Sequence, residues 1–150
     1  MSKTLIELDK MWSVISEVIS SGGEFRLFPR GTSMLPLLRE ETDSVVLVSP
    51  EDIKKGDILL YRRDNGQFVL HRVVKISGGE YFMCGDNQFS VEHGVRTENI
   101  LAKTAYFYRG NDKISLSDPA YKKYVKSLKK RRIKNRIRNI LSSLKREIKK

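Results

Sequence analysis

The sequence has only one cysteine, Cys84, among its 150 residues. An intramolecular disulfide is therefore impossible, and folding does not depend on an oxidising compartment. Only two histidines occur, His71 and His93, and together with Cys84 they form no recognised metal-ligand spacing. A glycine-rich phosphate-binding loop is also lacking. We therefore predict neither a bound metal nor a cofactor.

Long apolar runs are missing as well. No stretch of about 18 apolar residues occurs, so the sequence predicts no transmembrane helix. A cleavable signal peptide is not expected either, because Glu7, Asp9 and Lys10 interrupt the segment that would be its apolar region. These absences favour a cytoplasmic protein whose contact with a membrane, if any, is peripheral.

The charge is unevenly spread. The net charge is +11, and most of the excess follows Tyr121. The chain length suits one domain with an appendage. Changes in composition predict three parts, which are an N-terminal amphipathic helix at 1–23, a β-rich domain at 24–118 and a basic helical tail at 119–150.

The N-terminal part has apolar residues at helical spacing. Its stripe consists of Leu5, Leu8, Trp12, Ile15 and Ile19. This pattern predicts a helix over 3–21 that ends at Gly22 and Gly23. It packs on the domain or lies on a membrane or a partner.

The central part alternates short β-branched and aromatic runs with turn signals. Strands are predicted at 25–28, 44–48, 58–61, 67–76, 81–84 and 100–108. Asp64-Asn65-Gly66 is a strong hairpin signal, and Glu92-His93-Gly94 is interpreted as a solvated turn. The regular spacing predicts a mainly β fold, either a barrel or a sandwich.

The tail alternates lysine and arginine with apolar residues. It predicts a basic amphipathic helix, either continuous or broken near Lys130. One interpretation is a solvated or core-packed helix. The other is a helix at an anionic membrane surface, which basic residues and an apolar stripe would both favour.

Ser33 lies in a loop with the features that a nucleophile needs. Gly31 permits an unusual backbone angle before it, and Pro36 stiffens the chain after it. Backbone N–H groups at such a turn can form an oxyanion hole. A serine between glycine and proline can equally be structural.

His71 is a candidate base. Strand alternation places it with Val69 and Val73 on one face, where burial would lower its pKa and keep the imidazole neutral. The same position also suits a core histidine. Asp86, in Gly85-Asp86-Asn87, is either a turn residue or an acid that supports the base.

Four motifs in this order resemble the type I signal peptidase family. They are Gly31-Thr32-Ser33-Met34-Leu35-Pro36, Lys55-Gly56-Asp57-Ile58, Leu70-His71-Arg72-Val73 and Gly85-Asp86-Asn87. The similarity covers 25–108. It is greatest to the branch with a Ser/His pair, since the other branch and the LexA-like repressors use a lysine base. The resemblance implies a signal peptidase/LexA-like β core.

The resemblance also implies roles for single residues. Ser33 would be the nucleophile and contribute its own N–H to the oxyanion hole, and His71 would be the general base. Asp86 would orient or support His71. Glu92 occupies the position of a second acid, where the family usually has aspartate. The substrate-binding positions carried over from the serine motif are Gly31, Thr32, Met34 and Pro36.

The leading hypothesis is a serine endopeptidase that cleaves a precursor or leader peptide. The family usually has a transmembrane helix before the serine loop, whereas 3–21 is too short and too charged to span. Two alternatives are a catalytically impaired peptide-binding module and a nucleic-acid-binding LexA-like regulator. Nucleic acid is the less favoured partner of the tail, because a single N-terminal helix is too little for a helix-turn-helix.

Overall fold

The computed structural model describes residues 2–149, with side chains from Leu8 onward. Met1, Lys150 and the side chain of Leu5 lie outside the described part. The chain begins with helix α1 and ends with helix α2, and eight strands lie between them. Their bounds are α1 Ser2–Ser20, β1 Phe25–Leu27, β2 Ser44–Val48, β3 Ile58–Arg62, β4 Phe68–Ser77, β5 Glu80–Cys84, β6 Glu92–Arg96, β7 Ile100–Arg109, β8 Asp112–Ser115 and α2 Pro119–Ile148.

The strands form one antiparallel sheet in the order β1-β2-β7-β3-β4-β5-β6, with β8 paired to β7. Strand β7 has β2 along one edge, and β3 and β8 share its other edge. Bulges interrupt the pairing of β7 with β2 at Val46/Leu47 and with β3 at Leu60/Tyr61. The prediction of a mainly β chain with a helix at each end is confirmed.

Some elements differ from the sequence prediction. Glu92-His93-Gly94 is not a turn but the start of β6, in which Gly94 has a positive φ of 79°. His93 is exposed, as expected, although its ring lies 4.9 Å from that of Phe82. Strand β8 was not predicted, and α2 is continuous through Lys130. The division of the chain into parts at 23 and 118 stays a prediction.

Strand β3 separates two apolar clusters. Ile58 and Leu60 belong to the larger cluster, together with residues of both helices, whereas Leu59 and Tyr61 belong to the second. Because side chains alternate along a strand, burial of all four means that both faces of β3 are covered. Burying a large apolar side chain stabilises a fold by about 1.5–3 kcal/mol.

Both helices are fixed to the larger cluster. Helix α1 contributes Ile15 and Ile19, and the chain leaves it through Gly22 with a positive φ of 89°. Helix α2 begins after Asp118, whose side chain accepts a hydrogen bond from the Ala120 amide. Among the described residues, neither helix has a stretch long and apolar enough to cross a membrane.

Candidate active site

Ser33 lies in a turn between β1 and β2 that packs on the apolar core. Met34 is almost fully buried in the larger cluster, whereas Ser33 itself is half-buried. Local hydrogen bonds from the Leu35 amide to Thr32 O (3.2 Å) and from the Leu38 amide to Met34 O (3.0 Å) close the turn. Within residues 2–149 the Ser33 amide donates no hydrogen bond, which leaves it available to an oxyanion.

The segment after β5, residues 85–87, is hydrogen-bonded to this turn. The Asn87 amide donates to Ser33 O at 2.9 Å, and the Asn87 side-chain amide donates to Thr32 O at 3.1 Å. A Cβ atom at Gly85 would lie only 2.5 Å from Ser33 O. Glycine is therefore needed at this close approach, and the two motifs contact each other directly.

His71 lies in the middle of β4 and is 6% exposed. It lines a groove of about 360 Å³ together with Ser33. Most of the lining is apolar and includes Leu27, Phe28, Leu60, Phe68 and Leu70. The structure thus brings the predicted nucleophile and the predicted base to one groove, but no hydrogen bond joins them within the described part of the chain.

Burial lowers the pKa of His71 from 6.5 to about 4. The carboxylate of Glu92 opposes this shift, Arg63 adds to it through its positive charge, and Asp86 opposes it. Desolvation dominates because the imidazolium loses its water shell inside the fold. At neutral pH the ring is therefore uncharged and able to accept a proton.

Glu92 reaches His71 through the hydroxyl of Tyr61. Tyr61 Oη donates to Glu92 Oε1 at 2.7 Å and lies 3.3 Å from His71 Nδ1. Arg63 holds the same carboxylate with two hydrogen bonds, from Nη2 to Oε1 (2.8 Å) and from Nε to Oε2 (3.0 Å). We call Arg63, Glu92 and Tyr61 the outer trio.

The outer trio selects the tautomer of His71. The single Tyr61 proton goes to Glu92, since an ionised carboxylate only accepts, so the hydroxyl oxygen is left to accept from His71 Nδ1–H. Nε2 then carries the free lone pair that a general base requires. Burial, together with the hydrogen bond to Glu92, raises the pKa of Tyr61 and keeps its hydroxyl protonated.

Asp86 has different partners. Its Oδ1 and Oδ2 accept from Arg72 Nε and Nη2, both at 2.8 Å, and Oδ2 also accepts from Tyr124 Oη at 2.9 Å. Arg72 further donates to Gly56 O and to Tyr121 Oη. Asp86 thus makes no hydrogen bond to His71 and acts on it only through its charge. We call Arg72, Asp86 and Tyr124 the inner trio.

Of the four predicted substrate-binding residues, two line the groove. Gly31 and Met34 contribute to its wall, whereas Thr32 and Pro36 are exposed and are not among its lining residues. Thr32 instead serves as the carbonyl acceptor for Asn87.

Tyr61 and Arg63 were missed by sequence reasoning. The signal was present in the Asp64-Asn65-Gly66 hairpin, whose register pairs Tyr61 with Val69, two residues from His71. Side chains two residues apart on a strand share a face. Tyr61, opposite Val69, is therefore a diagonal neighbour of the His71 imidazole. The cross-strand link to Glu92 depended on β6, which was not predicted.

Among residues 2–149, no group of three or more His, Cys, Asp and Glu side chains is placed to hold a metal ion. Comparisons with protein-family models, with curated proteins and with solved structures gave no match to this chain.

Proposed function

We propose that this protein is a serine endopeptidase of the signal-peptidase type, which cleaves a precursor or leader peptide. The observation that carries the proposal is the groove that contains both Ser33 and His71, beside an outer trio that leaves Nε2 of His71 unprotonated. The finer fold assignment, a signal peptidase/LexA-like β core, is part of the same proposal and is supported by the contact between the Ser33 and Gly85-Asp86-Asn87 motifs.

The first step forms an acyl-enzyme. His71 Nε2 takes the Ser33 Oγ proton while Oγ attacks the substrate carbonyl carbon, and the resulting oxyanion accepts from the Ser33 amide. Collapse of the tetrahedral intermediate breaks the C–N bond, and the imidazolium returns the proton to the leaving amine. Water then attacks the ester by the same route and regenerates the Ser33 hydroxyl.

The outer trio has a defined part in both steps. As His71 becomes positive, Nδ1–H donates to Tyr61, and the negative charge of Glu92 stabilises the imidazolium. Ser33 and His71 come into hydrogen-bond contact when substrate binds, since catalytic hydrogen bonds are often long without substrate. Tyr61 and Glu92 are therefore positioning residues, and Ser33 and His71 are the catalytic residues.

The groove lining indicates the kind of substrate. Its apolar side chains suit a peptide with uncharged residues next to the scissile bond, and Arg30 and Arg63 also line the groove. By the family resemblance, these residues would be small on the amino-terminal side of the cleaved bond.

The test uses an acylating serine-hydrolase probe on the full chain. We expect the probe to label Ser33, seen as a mass increase on the Ser33 peptide, and candidate leader peptides to be cleaved. Ser33→Ala and His71→Ala are expected to lower both activities by about 10³-fold or more.

Matched controls lie close to the site. Ser90→Ala removes an exposed serine beside the same histidine, and His93→Ala removes the other histidine of the chain. Both variants should retain labelling and cleavage. Labelling that follows Ser90, or cleavage that survives in Ser33→Ala, would contradict the proposal.

A peptide-binding module is the second candidate. It is favoured by the missing hydrogen bond between Ser33 and His71 within the described residues. This candidate predicts that leader peptides bind with equal affinity to wild type and Ser33→Ala, without labelling or cleavage in either protein.

A further inference from the structure

Helix α2 uses two opposite faces in its two halves. Tyr121 and Leu128 are buried against the domain, and Arg131, Arg132 and Asn135 are half-buried on the same side. At about 100° per residue, these residues occupy one side of the helix. The apolar residues of the second half lie about half a turn away from it.

These apolar residues form one outward-facing stripe, about 100° wide. The stripe consists of Ile133, Ile137, Ile140, Leu141, Leu144 and Ile148. Each is between 48% and 84% exposed. The stripe does not extend the core-facing side, so the domain cannot cover it without rotating the helix. The domain therefore leaves this apolar surface exposed.

Positive charge surrounds the stripe. Residues 129–149 contain ten lysines and arginines and one acidic residue, Glu147. Lys134 and Lys145 lie along one margin of the stripe, and Arg136 lies along the other. Apolar and cationic side chains can therefore contact the same flat surface. Long basic side chains can lay their methylenes along an apolar surface and keep the charge in a polar layer.

We propose that residues 133–148 of α2 lie in the headgroup region of an anionic lipid bilayer. The stripe enters the acyl boundary, and the flanking lysines and arginines contact lipid phosphates. A second copy of the chain fits less well, since two such helices would bring like charges together. Nucleic acid would use the charge but leave the stripe exposed to water.

This proposal rests on α2 alone and does not depend on the peptidase function. The sequence predicts a membrane contact somewhere in 119–150. The proposal restricts that contact to 133–148, because residues 119–128 contact the domain through Asp86 and the core. A bilayer at the stripe would lie on the side of α2 that faces away from the domain.

The experiment is vesicle flotation of the full chain. We expect binding to vesicles of an equal mixture of phosphatidylcholine and phosphatidylglycerol, weaker binding at raised salt, and little binding to pure phosphatidylcholine. The double variant Ile137→Glu/Leu144→Glu should bind the anionic vesicles about tenfold or more weakly, since it places two carboxylates in the acyl boundary.

The matched control is Asn139→Glu/Ser142→Glu. It makes the same change in charge on the opposite, exposed face of the same half-helix. Its binding should fall only a few-fold, through the loss of net charge. Circular dichroism checks that both variants keep their helix, which glutamate favours.

Three outcomes would overturn the proposal. One is equal loss of vesicle binding in the two variants, which would indicate charge without insertion. Another is a dimer in sedimentation velocity that only the stripe variant dissociates. The third is a short DNA duplex that binds more tightly than the anionic vesicles and is retained by the stripe variant.

Discussion

The inner and outer trios contain the same three kinds of side chain, an arginine, a carboxylate and a tyrosine, in different surroundings. Each contains an arginine that holds a carboxylate with two hydrogen bonds and a tyrosine that donates a third. In the inner trio the arginine and carboxylate side chains are 2% and 0% exposed, and in the outer trio they are 33% and 27% exposed. The inner trio joins α2 to the Gly85-Asp86-Asn87 segment, which is hydrogen-bonded to the Ser33 turn. The outer trio borders the groove.

Alternation along β4 explains why the two trios do not mix. His71 and Arg72 are consecutive residues, so their side chains leave the strand on opposite faces. Tyr61 meets His71 on one face, and Asp86 meets Arg72 on the other. Of the two predicted acids, Asp86, the one nearer to His71 in sequence, therefore pairs with Arg72, whereas Glu92, farther along the chain, is linked through Tyr61 to His71, the proposed base.

Removing one charge from each trio tests this difference most strongly. Asp86→Asn leaves the buried Arg72 without its counter-ion and should lower the free energy of unfolding by about 3–5 kcal/mol. Glu92→Gln weakens a half-exposed pair and should cost about 1 kcal/mol or less. Urea unfolding measures both values. Similar losses in the two variants would mean that the trios are structurally equivalent.

Removing one hydroxyl from each trio separates catalysis from stability. Tyr61→Phe breaks the link between Glu92 and His71 and should lower kcat/KM by about tenfold to a hundredfold. Tyr124→Phe removes a comparable hydroxyl from Asp86 and should lower stability by about 1 kcal/mol with kcat/KM little changed.

The pH profile gives Tyr61→Phe a further readout. Without the link to Glu92, His71 should become protonated only at a lower pH, so the acid limb of kcat/KM should move to lower pH. A profile that keeps its shape while kcat/KM falls would argue for a purely structural role of Tyr61.

The last comparison concerns pH and stability. The pKa of His71 is about 4 in the folded chain and 6.5 ordinarily, so the unfolded chain binds more protons between these values. His71 therefore destabilises the fold increasingly as pH falls from 6.5 through 4. His71→Asn should lose less stability than wild type between pH 7 and pH 4, measured by urea unfolding.

Most of the loss from other groups is common to both proteins in that comparison. Burial raises the pKa of Glu92, but Arg63 and Tyr61 lower it by more, and both partners remain in the variant, which loses only the smaller contribution of His71. Equal pH dependence in the two proteins would mean that His71 is not held neutral by burial.

The sequence was sufficient for the inner strands and for β1, and insufficient for β6 and β8. Strand 44–48 was predicted with its observed bounds because continuous β-branched residues suit a strand buried on both faces. Strand β6 was missed because Glu92-His93-Gly94 is polar and contains a glycine with positive φ. An edge strand with mostly exposed side chains carries little periodic signal.

For the candidate site, the sequence pointed to Ser33, His71 and the two acids, but not to Tyr61, Arg63 or the hydrogen bonds that connect these side chains. Ser33 and His71 could be selected from motif order, but the partner of each acid depends on β6 and α2. Asp86 was left open between a turn residue and an acid that supports the base, and neither interpretation named its observed partner, Arg72, which follows His71 directly in the sequence. Only the register of the sheet separates those two side chains.

Strand β3, with both faces covered, has a consequence for exchange of amide protons. Amides of such a strand are exposed to solvent only when the whole domain opens, so β3 and the adjoining part of β4 should exchange slowest. Tyr61 and His71 belong to that slowest unit, whereas the Ser33 amide has no acceptor among residues 2–149. We therefore expect the proposed base to be the more rigid member of the pair, and the Ser33 hydroxyl to make any approach between the two.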